Sequence, residues 1–505
     1  MIYDINGNAL VASESAPELY LGTMVQAANA VDGIQAATSR ICMKNVLALP
    51  YGGNTKLTVK MNPDYKIAMR VGHAPYNLNS NLYWYSNGDT IPLPVDANYY
   101  RVGIAYKDGE STVNLSDWDT INLHIYYEDS PTDFSAFDSG ANATMLNVRS
   151  GSSNMNYRNL PTFVHTSDVH GDYVRVKRFA EYADRIGASM ACITGDITGY
   201  NIHTDSNHFE WFHEILKESN TPFGVCVGNH DCHIGIGSSG STMADADLYE
   251  IFYAPIATNI GNDTGKLWYV KDMATEKIRI ISLDLYQAGG VWTYTYFTQE
   301  QLTWLCSTLA STPTGYGVII LMHAQQLSVV KDANHAEFFQ SVRKGESAEH
   351  YNAVDNDGDP IGDIVNAFIN KSTISATYTQ NSGATTLTVS GDFTSVASST
   401  EFICYMTGHF HQDTIGYNPR PSGDPKQLVL NITCGCSAYG GISGGSYKYL
   451  ADCSDMPRNQ KDSTQDAFNV YGIDRTNKNV RVARIGSNLN NALEKRDVMI
   501  IPYAD

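Results

Sequence analysis

The feature that most constrains this chain is a set of five short polar segments, each of which follows a run of apolar and β-branched residues. The segments are Asp168-Val-His170, Gly195-Asp196, Gly228-Asn229-His230-Asp231, Met322-His323 and Gly408-His409-Phe-His411. Short apolar runs bounded by turn signals predict buried β-strands. In open α/β sheets, functional side chains gather at the C-terminal ends of the strands, where the connecting loops converge. We therefore expect a fold that brings these strand ends together.

Helical patterns alternate with the strands around the first three segments. The strands are expected over 162–167, 190–194 and 223–227. A helix that buries Val176, Phe179 and Ala183 is expected after the first strand, with its end near Gly187. Strands that alternate with helices indicate a layered α/β core. Later segments with strand character, which we expect to complete a second sheet, are 427–433, 469–474 and 480–485.

The N-terminal part of the chain has a different pattern. Residues 50–128 contain short strand-like runs separated by turn signals such as Lys107-Asp-Gly. Regularly spaced short strands favour a β-sandwich or jelly roll, and we assign 1–128 to such a domain. Residues 129–158 are rich in Ser, Asn, Asp and Gly and are expected to form a linker. The α/β domain would then cover 159–505, with insertions near 232–266 and 326–400.

The acidic balance of the chain limits its partners. Lys and Arg number 34 against 53 Asp and Glu, for a formal net charge of −19. Such a surface repels phosphate backbones, so unspecific nucleic-acid binding is not expected. The N-terminus lacks the basic and apolar parts of a secretory signal, and no run reaches the roughly 18 apolar residues of a spanning helix. We therefore expect no membrane association and a cytoplasmic protein, or a particle-associated one if the chain derives from a phage.

Several cysteines and histidines are expected to have structural roles. The chain has nine cysteines, several inside apolar runs, and these are expected to be reduced, buried thiols. His165 is expected to pack in or near its strand. His208 and His213 lie five positions apart on a predicted helix, which does not place two ligands on one face. We expect surface histidines at both positions.

The five polar segments together form a ligand set for metal ions. Apart from His230 and Asp231, the segments offer four imidazoles, two carboxylates and one amide. Imidazoles mixed with oxygen ligands suit Mn, Fe, Zn or Co better than Ca or Mg. A carboxylate such as that of Asp196 has two oxygens, each of which can meet one metal. The set predicts two divalent or trivalent metal ions.

The order of these motifs resembles that of a known family. Asp-x-His, Gly-Asp, Gly-Asn-His-Asp, His and Gly-His-x-His follow one another in the calcineurin-like metallophosphoesterases, and residues 160–485 look like a member. The resemblance implies two packed β-sheets flanked by helices, a four-layer α/β/β/α sandwich. It does not extend to residues 1–128.

The resemblance also implies a role for each residue of the motifs. The ligands of the first metal would be Asp168, His170 and His411. Those of the second would be Asn229, His323 and His409. Asp196 would bridge both metals, His230 would assist the leaving group, and Asp231 would orient His230.

The implied reaction is the hydrolysis of a phosphomonoester or phosphodiester. Phosphate esters resist hydrolysis because their anionic centre repels nucleophiles. Two metals about 3.5–4 Å apart neutralise that charge, acidify a bridging water and align its attack. A protonated His230 can donate to the departing alkoxide, since an imidazole titrates near neutrality.

A binding or structural role is the second hypothesis. The first eight residues, Met-Ile-Tyr-Asp-Ile-Asn-Gly-Asn, resemble the starts of some phage tail-associated and prophage proteins. On that hypothesis the N-terminal domain anchors the chain to a particle or a glycan, and esterase activity is secondary. Trp84 and the tyrosines at 99–100 and 126–127 would either bind carbohydrate or protein, or fill a small core.

Overall fold

The computed structural model describes most of the predicted strands and helices. The described residues are 2–3, 19–21, 23–24, 34–35, 39–43, 47–48, 56–72, 83–92, 99–108, 111–121, 123–127, 160–171, 173–198, 212–232, 243–286, 297–324, 359–380, 385–409, 414–418, 423–432, 467–486 and 499–504. His411, His208 and the predicted linker 129–158 lie outside them.

The chain divides into two compact units. The smaller comprises Met1–Phe134, Gly171–Arg178 and Gln460–Asp462. The larger comprises Ser135–His170, Phe179–Asn459 and Ser463–Asp505. All the predicted metal ligands belong to the larger unit. The domain boundaries that the sequence suggests stay a prediction.

The smaller unit consists mainly of short β-strands. In chain order they are β1 (Ile2–Tyr3), β2 (Leu19–Leu21), β3 (Thr23–Met24), β4 (Ile34–Gln35), β5 (Ile41–Met43), β6 (Leu47–Ala48), β7 (Lys56–Lys60), β8 (Tyr65–Gly72), β9 (Tyr83–Ser86), β10 (Thr90–Pro92), β11 (Tyr99–Tyr106) and β12 (His124–Tyr127). A 3₁₀ turn (Leu115–Asp117) and the short helix α1 (Trp118–Ile121) precede β12. One sheet has the order β1-β12-β7-β10 and another β2-β5-β11-β8-β9, with β6 on β11; β3 pairs with β4.

The two larger sheets of this unit contribute to one core. Leu57 and Val59 alternate along β7, Ile67 and Met69 alternate along β8, and all four are buried in the same cluster. Alternate burial is expected of strands with one face on a core, because successive side chains point to opposite faces. The N-terminal region is therefore rich in β-structure as expected, while its sandwich or jelly-roll arrangement stays a prediction.

Trp84 lies outside that core cluster. Its ring packs with Cys42 and Ala68, and the cationic groups of Arg40 and Lys66 each lie 5.2 Å from the ring centroid. A carbohydrate or protein ligand of this unit stays a prediction. The phage or prophage alternative, which depends on the first eight residues, stays one too.

The larger unit contains two six-stranded mixed sheets and a hairpin. Its strands are β13 (Thr162–Thr166), β14 (Met190–Thr194), β15 (Phe223–Cys226), β16 (Tyr269–Met273), β17 (Ile278–Ser282), β18 (Gly317–Leu321), β19 (Thr373–Gln380), β20 (Thr385–Asp392), β21 (Glu401–Thr407), β22 (Thr414–Tyr417), β23 (Leu428–Asn431), β24 (Ala467–Asp474), β25 (Asn479–Gly486) and β26 (Met499–Pro502). The first sheet has the order β15-β14-β13-β24-β25-β26, and the second has β16-β17-β18-β21-β23-β22. The strands β13 to β15 are parallel, as are β17, β18, β21 and β23, so each group directs its C-terminal ends to one edge.

Two of the helices that follow α1 have a recognisable capping residue at one end. They are α2 (Tyr173–Ile186), a helical stretch over 212–218, α3 (Asp245–Phe252), the 3₁₀ turn Ala254–Ile256, α4 (Ala257–Ile260), α5 (Gln299–Ala310) and α6 (Pro360–Ile369). Gly187 ends α2 with a φ of 63°, a left-handed conformation that glycine adopts at little cost. Thr298 caps α5 by accepting from the backbone N–H of Gln301, at 3.2 Å.

One buried cluster joins the two six-stranded sheets. Phe163 and Tyr471 come from the first sheet, and Ile280 and Leu321 from the second. Contrary to expectation, β24 and β25 do not belong to the second sheet, since β24 pairs antiparallel with β13 and β25 pairs with β24. All eight residues of β24 are buried. An apolar run buried on both faces has no pattern that identifies its partner strand, which is why the sequence led to the wrong sheet.

The expectation of reduced, buried cysteines is met among the described residues. Six cysteines are present there as free, buried thiols. No helix in the described parts of the chain combines the length and the apolarity needed to cross a bilayer.

The prediction that His213 lies on the surface is wrong. Its side chain is buried, and its Nε2 lies 3.2 Å from the backbone oxygen of Phe252 at the end of α3. Phe212 beside it packs against the Phe252 ring. The face of the 212–218 helix that carries His213 is therefore covered, and the sequence gives no sign of the segment that covers it.

The burial of His213 makes the stability of the fold depend on pH. Burial is the largest cause that lowers the pKa of His213, from 6.5 to about 4. The unfolded chain therefore binds a proton that the folded one does not, and stability is lost as the pH falls from about 6.5 to about 4. The loss reaches roughly 3 kcal/mol. We expect His213→Gln, which keeps a donor but cannot titrate, to show a flatter dependence of the urea unfolding free energy over this pH range. Equal slopes for the two proteins would contradict the assignment.

Candidate metal centre

Six of the seven predicted ligands lie just beyond the C-terminal ends of parallel strands. Asp168 and His170 follow β13, Asp196 follows β14, Asn229 follows β15, His323 follows β18 and His409 follows β21. The structure brings all six together, from both sheets, in the contacts given next. The seventh predicted ligand, His411, lies outside the described residues.

Four of these residues have an unusual backbone conformation. Asp168, His170, Asp196 and His409 have φ values of 53°, 48°, 51° and 75°, in the left-handed region. For residues other than glycine this conformation costs roughly 1–2 kcal/mol each. Strain of this kind clusters at functional sites, where the surrounding structure must hold the residue in place. The loops are thus built to direct these side chains, at a cost in stability.

The glycines of the motifs allow the loops to approach one another. A Cβ on Gly228 would lie 2.2 Å from the backbone nitrogen of Asp196. A Cβ on Gly408 would lie 1.7 Å from Oγ of Ser167, beside Asp168. Both distances are far below van der Waals contact, so no side chain fits at either position. The close packing of the loops thus accounts for these two glycines.

The carboxylate of Asp196 lies at the middle of the cluster. Its Oδ2 is 3.2 Å from Nε2 of His323, 3.8 Å from that of His230 and 3.9 Å from that of His170. Its Oδ1 accepts the backbone N–H of His230 at 2.8 Å. Asp168 joins from the neighbouring loop, where its Oδ2 accepts the backbone N–H of His409 at 2.9 Å.

Two groups of ligand atoms share Asp196. The first is His170, Asp196 and His230, and the second is Asp196, His323 and His409. Within each group the ligand atoms lie within 4.8 Å of one another. A carboxylate common to two such groups is placed to contact two cations at once.

The hydrogen bonds of His323 show which of its two ring nitrogens is available to a cation. Its Nδ1 lies 2.6 Å from the carbonyl oxygen of Thr194, which can only accept, so Nδ1 carries the proton. Its Nε2 then faces Oδ1 of Asn229 at 3.1 Å and Nδ1 of His409 at 3.2 Å. In neutral His323, Nε2 has a lone pair that meets an amide oxygen, an arrangement that a cation between them would stabilise. The donor set therefore fits a metal ion.

The charges of the cluster shift the pKa values of its members. Burial alone would raise the pKa of Asp196, but the imidazoles of His323, His230 and His170 hold it well below its usual value. Burial alone would lower the pKa of His323, but Asp196 and then Asp168 raise it to about 9. A proton on Nε2 of His323 would thus take the position of a metal ion and would be released when the ion binds.

The expected role of Asp231 needs correction. Its Oδ1 accepts the backbone N–H groups of Ile197 and Thr198 at 2.9 and 2.8 Å, and its Oδ2 accepts that of Gly228 at 2.8 Å. These bonds hold together the loops after β14 and β15, and none of them orients the imidazole of His230. Burial, with the charge of Asp196, raises the pKa of Asp231 to about 7, although the backbone donors lower it. The sequence showed only that Asp231 follows His230, and not which way its side chain turns.

His165 has the structural role that was expected. It is fully buried on β13, with Nε2 2.8 Å from Oγ1 of Thr194 and Nδ1 3.2 Å from the hydroxyl of Tyr471. Thr194 also holds His323 through its carbonyl oxygen. His165 thus supports the centre from behind without facing it.

The sequence analysis did not identify Tyr286, which lies beside the centre. Asp284 and Tyr286 follow β17, a parallel strand of the second sheet whose C-terminal end lies at the same edge. The ring of Tyr286 lies 5.9 Å from that of His323 and 6.4 Å from that of His409, between centroids. The signal that marks this segment in the sequence is its position directly after a strand, where functional side chains gather.

Comparison with known proteins agrees with this geometry. Residues 161–341 match the family model of the calcineurin-like phosphoesterases. The matched segment contains five of the six described ligands, and His409 follows it. None of the curated proteins matches the chain significantly.

The chain is also similar to solved structures at low sequence identity. A dimetal phosphatase from Danio rerio is 12% identical, with 68% of this chain and 99% of that chain covered and a TM-score of 0.38. A purple acid phosphatase from yellow lupin (Lupinus luteus) is 11% identical, covering 96% of this chain and 74% of that chain, with a TM-score of 0.35. A 5'-nucleotidase precursor from Thermus thermophilus is 10% identical, with 62% and 51% covered and a TM-score of 0.28.

Proposed function

We propose that this chain is a dinuclear metal-dependent phosphoesterase that hydrolyses phosphomonoesters or phosphodiesters. The observation that carries the proposal is the position of Asp196, whose carboxylate belongs to two groups of ligand atoms. When bound, two cations would neutralise the phosphoryl charge and acidify the attacking water. The family match of residues 161–341 supports the same class of reaction.

The proposed ligands follow the motif order. The first ion would be held by Asp168, His170 and His411, and the second by Asn229, His323 and His409, with Asp196 shared. Mn, Fe or Zn would suit this set of imidazole and oxygen donors. The fold would be a four-layer α/β/β/α sandwich, with a separate N-terminal β-sandwich over 1–128.

Thr194, Asp231 and His230 would support this chemistry through their contacts. Thr194 fixes the proton of His323 on Nδ1 and leaves Nε2 for a cation. Asp231 holds the loop that carries Asp196 against the loop that carries Asn229. His230 contacts Asp196 from the partly exposed rim of the cluster, where its imidazole can donate a proton to a leaving group.

The direct test combines metal analysis with a phosphoester panel. Protein loaded with Mn(II) is expected to contain two metal ions per chain and to hydrolyse p-nitrophenyl phosphate, its bis ester, or both. A chelator should remove the activity, and added metal should restore it. Failure to hydrolyse either ester in the fully loaded protein would overturn the proposal.

The role of His230 gives a separate prediction. We expect His230→Gln to lower turnover of an alkyl phosphoester by about 10²-fold or more, since a poor leaving group needs a proton from a general acid. The p-nitrophenyl ester should suffer much less, because its leaving group departs readily as an anion. Metal content should not change. A variant that loses metal and both activities equally would show that His230 is a ligand instead.

A further inference from the structure

We propose that Tyr286 donates a hydrogen bond to a phosphoryl oxygen held at the metal centre. This inference deepens the proposed phosphoesterase function and rests on it. It assigns a substrate-binding role to a residue outside the histidine and carboxylate motifs.

Tyr286 lies directly beside the imidazoles of the second group of ligand atoms. Its ring meets that of His323 edge-on, at an interplanar angle of 61°, and is tilted by 44° to that of His409. The residue is almost completely buried, with 4% of its surface exposed. A side chain packed in this way has few rotamers available, so its hydroxyl group has a fixed position.

A hydrogen bond also holds the backbone of Tyr286 in place. Oδ1 of the fully buried Asp284 accepts the backbone N–H of Tyr286 at 3.0 Å, two residues along the chain. Such an Asx turn defines the direction in which the chain leaves β17. A donor fixed in advance loses little entropy when it binds a ligand, which favours a role in recognition.

The hydroxyl of Tyr286 differs from those of other buried tyrosines. Tyr253 donates to the carbonyl of Val225 at 2.9 Å, and Tyr405 donates to Oε1 of Gln427 at 2.9 Å. A buried tyrosine hydroxyl normally has such a partner. Within the described parts of the chain, that of Tyr286 has none. A hydroxyl without such a partner, beside the predicted metal-binding residues, is available to an oxygen of a bound phosphate.

The hydroxyl of Tyr286 can act as a hydrogen-bond donor at neutral pH. A tyrosine phenol ordinarily loses its proton only near pH 10, so it carries that proton at neutral pH. A donor aimed at a phosphoryl oxygen is worth most where negative charge develops during the reaction.

The test compares Tyr286→Phe with the wild-type protein, both loaded with Mn(II). The phenylalanine ring preserves the packing against the imidazoles and removes only the hydroxyl. We expect unchanged metal content and an affinity for inorganic phosphate, measured by calorimetry, about tenfold to a hundredfold weaker. The kcat/KM for p-nitrophenyl phosphate should fall by a similar factor. The matched control is Tyr378→Phe, which removes a hydroxyl bonded to Asp363 on another element and should change neither quantity.

The possible outcomes separate this inference from the function itself. Unchanged phosphate affinity in Tyr286→Phe would overturn the inference, and so would loss of metal, which would make Tyr286 a ligand or a packing residue. If the wild-type protein binds no phosphate when loaded, the inference also fails. If it binds phosphate through Tyr286 but hydrolyses no ester, the proposed function fails and the inference stands.

Discussion

Asp196→Asn is expected to remove nearly all phosphoesterase activity, with kcat reduced by at least about a thousandfold. The amide keeps the shape of the side chain but loses the negative charge and one of the two ligand oxygens. Asp196 belongs to both groups of ligand atoms, so its loss affects both metal positions. Metal content, measured by elemental analysis, should fall below two ions per chain together with turnover.

A matched substitution controls for the loss of one acidic group. Asp392, at the end of β20, accepts hydrogen bonds from Thr394 and is exposed. We expect Asp392→Asn to keep full activity and full metal content. Wild-type turnover in Asp196→Asn, with circular dichroism unchanged, would refute the bridging assignment.

Gly228→Ala should be nearly as damaging, through sterics alone. The added methyl group would lie 2.2 Å from the backbone nitrogen of Asp196 and 2.3 Å from its Oδ1. A backbone atom cannot move aside as a flexible side chain can, so the loops after β14 and β15 must separate. We expect activity to fall by more than about a hundredfold and the unfolding free energy to fall by about 1–3 kcal/mol. Steady-state kinetics and urea denaturation measure the two effects.

Gly265→Ala separates this steric effect from the general cost of replacing a glycine. Gly265 has a φ of 65°, but a Cβ there would meet nothing within 4 Å. The substitution should cost about 1–2 kcal/mol of stability through backbone strain and leave turnover unchanged. If Gly228→Ala behaved in the same way, the close approach of the two loops would not matter for function.

The sequence predicted that the residues of the motifs lie together, because its signals are local. Strand β14 has the predicted bounds, and Asp196 follows its end. Asp168, Asn229 and His323 likewise follow strand ends, where parallel strands converge, so their meeting could be expected before any coordinates. The assignment of each residue to a particular ion, and the part of His411, stay predictions.

The sequence failed where the answer depends on contacts between distant segments. The burial of His213 comes from α3, and the sheet that contains β24 is decided by pairing with β13. The direction of the Asp231 side chain follows from donors on two loops. Tyr286 carries no histidine motif, and only its position beside two imidazoles reveals it. No periodicity or residue spacing in the sequence indicates any of these contacts.

The buried carboxylate of Asp231 has a consequence for metal selectivity. By accepting hydrogen bonds from Ile197, Thr198 and Gly228, it ties the loop of Asp196 to the loop of Asn229. With the loops clamped in this way, the protein itself would set the separation of the Asp196 and Asn229 side chains. A cation held between these two side chains would have to suit that separation, and the position would discriminate by ionic radius.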